Sequence, residues 1–179
     1  IDVWELIRLA NRHPRVDILN PGPGVGGHCI AVDPLFIVDQ DRDVAKLIAE
    51  ARRTNDRKTE WVVAKIISEV AKLNKESSNI LTVCFLGLSF KANVGDLRNS
   101  PALDIVGNCL HLDINILVVE PYLKELPLES GNLKRAEFEH AVIAADLVVL
   151  LVDHKEFCQA KAKNLLKKHK NLIDTRGII

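Results

Sequence analysis

The chain has 179 residues, 47% of them hydrophobic and 27% charged, with 24 Lys plus Arg against 24 Asp plus Glu. That composition excludes a disordered or collagen-like chain, and the length suffices for a core that needs no disulfide staples. A formal net charge of zero supplies no average field for nucleic acid, although a local basic patch can sit inside a zero sum. In chain order, Val3, Leu6, Ile7 and Ala10 fall at helical spacing behind a capping Asp2, and the helix stops near Asn11 ahead of Pro14. The loop Asn20–Cys29 holds four of the nine glycines and two prolines, so it is neither a helix nor a central strand. Asp33-Pro34 opens a short helix through Val38. The segment from Asp43 to Asn74 then predicts one long helix, about 48 Å at 1.5 Å per residue. Val44, Leu47, Ile48, Ala51, Asn55, Val62, Ile66, Val70 and Leu73 make its stripe. It reads as a connector or a subunit-contact helix, and a break near Arg57–Trp61 is the alternative.

The run at 75–79 marks a boundary, dividing the chain into residues 1–78 and 79–179. Beyond it, short strands alternate with helices. The strands are Ile80–Leu86, Ile114–Val119, Asp146–Val152 and Asn171–Asp174; the helices run from Ser100 to His111, Lys134 to Ala144 and His154 to His169. This βαβαβαβ pattern predicts an α/β fold: a helical segment with a long connecting helix, followed by a Rossmann-like parallel sheet covered on both sides. No run reaches the roughly 18–20 apolar residues of a membrane span, and no signal peptide is visible. The chain holds no Met and opens on Ile1, which reads as a piece of a longer chain.

Cys29 is the sharpest chemical feature. It follows the glycine-rich loop and lies four residues before Asp33. A thiol at a loop–helix junction can serve as a covalent nucleophile toward a carbonyl carbon, with Asp33 handling water; a cysteine buried behind a glycine turn is the alternative. His28, Cys29 and Asp33 are weak as a metal site, and no metal is expected. The glycines match neither GxGxxG after a strand nor GxxxxGK[ST]. Cys84 and Cys109 read as core and Cys158 as half-buried packing; none of the four cysteines forms a CxxC pair, and reduced thiols in a cytoplasmic protein are expected. Asp96 is expected to order its loop through backbone N–H groups or Arg98, and Ser100 to cap the following helix. The lysine-rich run 161–170 lacks interleaved aromatics and reads as the wet face of a helix, so neither nucleic acid nor membrane is expected as a partner.

Residues 16–34, VDILNPGPGVGGHCIAVDP, together with 84–105, CFLGLSFKANVGDLRNSPALDI, resemble the UDP-glucose/GDP-mannose dehydrogenase family over the whole chain. His28 before the cysteine and IAVDP after it resemble the branch that acts on UDP-N-acetyl-D-mannosamine. The resemblance implies oxidation of a sugar C6 alcohol to a carboxylate by two successive NAD molecules, through a cysteine thiohemiacetal and thioester, in surface polysaccharide synthesis. It implies that Cys29 is the thiolate and Asp33 the carboxylate of the hydrolysis step. It implies sugar-nucleotide contact by Arg15, by the loop Gly22, Gly24, Gly26, Gly27 and His28, and by Phe90 and Lys91. For Arg15 a solvated surface arginine is an equal alternative. Arg98 and Arg176, the latter in Asp174-Thr-Arg176-Gly177, are read as cofactor contacts; a structural salt bridge serves Arg176 equally well. The main NAD domain of the family is expected to lie outside this chain, so the chain alone is expected to be inactive, and a homodimer through the helical region is implied. Another UDP-sugar 6-dehydrogenase, for UDP-glucose or UDP-N-acetylglucosamine, is one alternative. A non-catalytic UDP-binding and dimerisation fragment is the other.

Overall fold

A computed structural model describes residues 1–75 and 79–179. Helix α1 spans Val3–Ala10, and its cap is the expected one: the Asp2 carboxylate accepts the N–H groups of Trp4 and Glu5 at 2.9 and 3.2 Å. Helix α2 spans Asp33–Gln40 with Pro34 in its first turn. Helix α3 runs unbroken through Lys46–Asn74, so no break occurs near Arg57–Trp61. It starts three residues later than the expected Asp43. The Asp41 carboxylate accepts the N–H groups of Asp43 and Val44, both at 3.0 Å, and holds those residues in a turn. The expected boundary at 75–79 falls largely on residues outside those described.

The sheet contains β1 (Thr82–Leu86), β2 (Asn115–Val119), β3 (Leu133–Arg135), β4 (Leu147–Leu150) and β5 (Leu172–Asp174). All pairings are parallel, in the order β3-β2-β1-β4-β5. Between the strands lie α4 (Pro101–Cys109), α5 (Phe138–Ala144), α6 (Lys155–Cys158) and α7 (Ala160–Lys168). Two expectations need correction. The sheet has a fifth strand, β3, where a helix from Lys134 was expected, and α5 begins only at Phe138. Leu133-Lys-Arg135 carries no apolar run; it is an edge strand, and charged residues on an edge discourage further pairing. The helix expected over His154–His169 is two helices. Gln159 is extended (ψ 148°), which redirects the chain so that Phe157 and Leu166 enter the same core.

Alternation along β1 splits the core into two layers. Val83 and Phe85 join Val62, Ile66 and Val70 of α3 and Ile105 and Val106 of α4 on one face. Cys84 and Leu86 join Ala141, Val142, Phe157 and Leu166 on the other. Only the carboxyl half of α3 is therefore buried; Leu47, near its start, is 83% exposed. The strand order turns back between β1 and β4, which opens a crevice at the carboxyl ends of these strands. Among the described residues, no helix is long and apolar enough to cross a membrane.

Candidate functional site

The glycine loop lies across the carboxyl end of the sheet. A Cβ on Gly26 would sit 2.3 Å from the backbone oxygen of Asn99, and one on Gly27 2.9 Å from the Phe90 ring. At Gly24 it would meet Thr59 and Pro101 at 2.9 and 3.0 Å, and at Gly22 it would meet the Arg176 guanidinium. Gly27 also has φ +91°, a left-handed conformation that glycine alone adopts freely. The glycines thus let this backbone pack closely on the protein itself, and its partners are α3, α4 and the segments after β1 and β5. Two hydrogen bonds fasten the contact: Gly27 N–H to Arg98 O at 3.0 Å, and Asn99 Nδ2 to Gly27 O at 3.1 Å.

From the other side, α3 stitches the same loop. Asn55 Oδ1 accepts the Val25 N–H at 2.7 Å, and the Thr59 hydroxyl donates to Pro23 O at 3.1 Å. Arg52 reaches Val25 O at 3.4 Å and is paired with Asp56 at 2.6 Å. Sequence reasoning missed Arg52 and Thr59 and placed Asn55 in an apolar stripe; a polar residue at a helical core position was the available signal. The loop ends at Cys29, whose carbonyl accepts the Asp33 N–H at 2.8 Å and leads into α2. Cys29 is exposed, unlike the buried Cys84 and Cys109 and the half-buried Cys158, and all four thiols are free. Cys29 and Asp33 share an open groove of about 770 Å³ with Val25, Ile30, Ile37, Leu47, Ile48, Ala51, Arg52 and Asn55. The arrangement presents a thiol and a carboxylate at one mostly apolar surface.

Across the loop, residues 88–99 carry the remaining candidates. Lys91 is exposed and Phe90 half-buried against Gly27. Asp96 organises this segment as expected: it accepts the Arg98 backbone N–H at 3.0 Å and two guanidinium nitrogens at 2.6–3.1 Å. Those side-chain bonds first, and the backbone bond second, hold the Asp96 carboxyl down at about 2. His28 and Cys29 lie within electrostatic range of Asp96 and Arg98 respectively. Ser100 caps α4 through the Leu103 N–H at 3.4 Å, and its hydroxyl donates to Leu88 O at 2.5 Å. Arg176 pairs with Asp153 at 2.9 Å and packs over Gly22. Arg15 is exposed and lies outside the groove that Cys29 lines. Among the described residues, no group of three or more His, Cys, Asp or Glu is placed to hold a metal ion.

The amides that follow β1 are where a Rossmann fold holds the pyrophosphate of NAD. Here the Leu88 and Ser89 N–H groups are donated to the Glu120 carboxylate at 2.8 and 3.1 Å. Gly87 is pressed against Val152, with an ideal Cβ 2.4 Å from it. The end of β1 therefore does not fit a dinucleotide.

Two family models match the chain. The central domain of the UDP-glucose/GDP-mannose dehydrogenase family matches residues 1–57, and the UDP binding domain of that family matches residues 84–179. The chain is 49% identical over 179 residues to an NDP-N-acetyl-D-galactosaminuronic acid dehydrogenase of Ralstonia nicotianae, covering 99% of the chain and 41% of that protein. It is 47% identical over 184 residues to a UDP-N-acetyl-D-mannosamine dehydrogenase of Salmonella typhi, covering 99% and 43%. Among solved structures, it is similar to the UDP-N-acetyl-mannosamine dehydrogenase of Staphylococcus aureus at 38% identity and a TM-score of 0.73, covering 100% of the chain and 41% of that one. A UDP-D-ManNAc dehydrogenase of Pyrococcus horikoshii gives 33% and 0.78, with 100% and 41% covered. The chain spans about two fifths of the length of the curated relatives it matches.

Proposed function

The chain belongs to the UDP-glucose/GDP-mannose dehydrogenase family, and we propose that it is the carboxyl-terminal part of a UDP-N-acetyl-D-mannosamine 6-dehydrogenase. One observation carries this reading: the exposed Cys29 shares a groove with Asp33, on a loop docked against the segment that carries Phe90 and Lys91. In the proposed reaction the Cys29 Sγ adds to the C6 aldehyde carbon, forming a C–S bond and a thiohemiacetal hydroxyl. NAD, bound by a segment outside this chain, is the two-electron acceptor in each oxidation. Once the adduct has become a thioester, water adds to its carbonyl carbon, the C–S bond breaks, and the thiolate leaves with the carboxylate formed. Asp33 orients that water. Lys91 and Phe90 hold the nucleotide sugar, with the glycine loop and His28 around the sugar and Arg15 reaching in from a second copy. Arg98 and Arg176 are offered to the cofactor or nucleotide end.

A second copy of this chain is also proposed to cover α2, the turn after it and the start of α3. Phe36, Ile37, Val44 and Leu47 are 68, 57, 83 and 83% exposed there. In the full-length parent, Cys29→Ser is expected to abolish formation of the acid from UDP-N-acetylmannosamine while sugar-nucleotide affinity persists. Undiminished acid formation would contradict the covalent route. Oxidation of UDP-glucose alone would move the substrate reading to another branch of the family.

A further inference from the structure

The carboxylate at the end of β2 is almost entirely enclosed: Glu120 is 1% exposed and His154 is 0% exposed. Glu120 Oε2 accepts the N–H groups of Leu88 and Ser89 at 2.8 and 3.1 Å and the Ser89 hydroxyl at 3.2 Å, and it faces His154 Nε2 at 3.2 Å. Its Oε1 accepts the Tyr122 N–H at 2.9 Å. The other imidazole nitrogen, Nδ1, accepts the Asn93 N–H at 2.9 Å. Nδ1 is therefore bare, and the ring proton sits on Nε2, where it is donated to Glu120. The Tyr122 ring stacks on the imidazole with centroids 4.9 Å apart. Asn93 itself is left-handed (φ 64°), and its Oδ1 accepts the Lys155 N–H at 2.8 Å.

The segment after β1 is thus tied at both ends. Residues 88 and 89 are held by the carboxylate and residue 93 by the imidazole. Phe90 and Lys91 hang between the two anchors, and Phe90 is the surface on which Gly27 rests. A carboxylate so enclosed costs desolvation that an apolar side chain of similar volume would avoid. What it supplies in return is direction, because its donors come from three separate segments: Leu88 and Ser89, Tyr122, and His154.

We infer that Glu120 and His154 are positioning residues for the Phe90–Lys91 segment, acting on nucleotide-sugar contact and on the seating of Cys29 from beneath the site. The inference rests on the reading of Lys91 as a substrate contact. It further assigns the amides after β1 to an internal anion, so that this sheet shapes a loop where other doubly wound sheets hold a pyrophosphate.

The test uses this chain with UDP as the probe and amide hydrogen exchange as a second readout. His154→Phe is expected to lower protection of the Asn93 amide at least tenfold, while Val83, Val118 and Val149 keep theirs. It is also expected to weaken UDP binding at least tenfold, and His154→Gln, which keeps one donor and one acceptor, is expected to recover most of both. Asn93→Gly provides a second route that keeps the left-handed backbone; it is expected to lower protection of the Lys155 amide and to weaken UDP binding. Unchanged Asn93 protection in His154→Phe would overturn the inference. So would unchanged UDP affinity in that variant when Lys91→Ala binds UDP poorly. If Lys91→Ala binds UDP as tightly as the unsubstituted chain, the reading of Lys91 falls, and the exchange measurements alone decide the positioning role.

Discussion

Gly26 and Gly27 show how single residues seat the thiol. An alanine at 26 would drive its methyl to 2.3 Å from a backbone oxygen, which cannot swing away as a side chain can. Gly26→Ala is expected to cost about 1–3 kcal/mol through overpacking and to loosen the loop. Gly131, whose Cβ would meet nothing within 4 Å, is the control: Gly131→Ala is expected to be nearly neutral. Urea midpoints for the two variants check this. Glu120 sets a pH dependence. Burial pushes its carboxyl up, but hydrogen bonds from His154, Leu88 and Tyr122 outweigh that and bring it down to about 2. A carboxyl depressed on folding contributes stability that is fully present above its unfolded value of 4.5 and is lost as pH falls toward 2. The urea midpoint is expected to drop across that window, and Glu120→Ala is expected to flatten this part of the profile. That variant is also expected to cost about 3–5 kcal/mol near neutrality by stranding its donors. At this scale the sequence was legible where a residue type has few uses, as with Cys29, the glycines and the Ser100 cap. Glu120 and His154 were illegible, because their meaning lies in contacts between residues 34 apart in the chain.

Among the elements, α3 does two jobs with its two halves. Val62, Ile66 and Val70 are buried under the sheet, whereas Leu47 lies on the open groove. Ile66→Ala is expected to cost about 2–5 kcal/mol, seen as a lower urea midpoint. At concentrations where the chain is monomeric, Leu47→Glu is expected to leave the urea midpoint unchanged, and at higher concentration to weaken self-association, read by sedimentation equilibrium; unaltered association would remove this face from the proposed dimer contact. The length of α3 was legible because 29 residues lack both Gly and Pro. β3 was not. A three-residue edge strand carrying Lys134 and Arg135 has no alternation to read, and its pairing with β2 comes from the tertiary fold. The split between α6 and α7 was hidden for a related reason. No breaker residue marks Gln159, and its extended backbone follows from where Phe157 and Leu166 must pack.

Over the whole molecule, the glycine loop joins two parts that the sequence separates. It is gripped by Asn55 and Thr59 of α3 on one side and by Phe90, Asn99 and Arg176 on the other. Trp4 of α1 adds a second bridge, packed so closely on Gly177 that a Cβ there would lie 2.1 Å from the indole. The division into a helical part and a sheet part could be read from the change of periodicity, but this interlock could not, because its contacts join residues 30 or more apart in the chain. The interlock is proposed to deliver the exposed Cys29 thiol to a bound sugar. Alkylation of Cys29 by iodoacetamide, followed by mass spectrometry with and without UDP-N-acetylmannosamine, tests it most directly. Cys29 is expected to react well ahead of the buried Cys84 and Cys109, and saturating UDP-N-acetylmannosamine is expected to slow it at least tenfold, more than UDP alone does. A rate at Cys29 that does not change on saturation with the sugar nucleotide would mean that the thiol does not face the sugar.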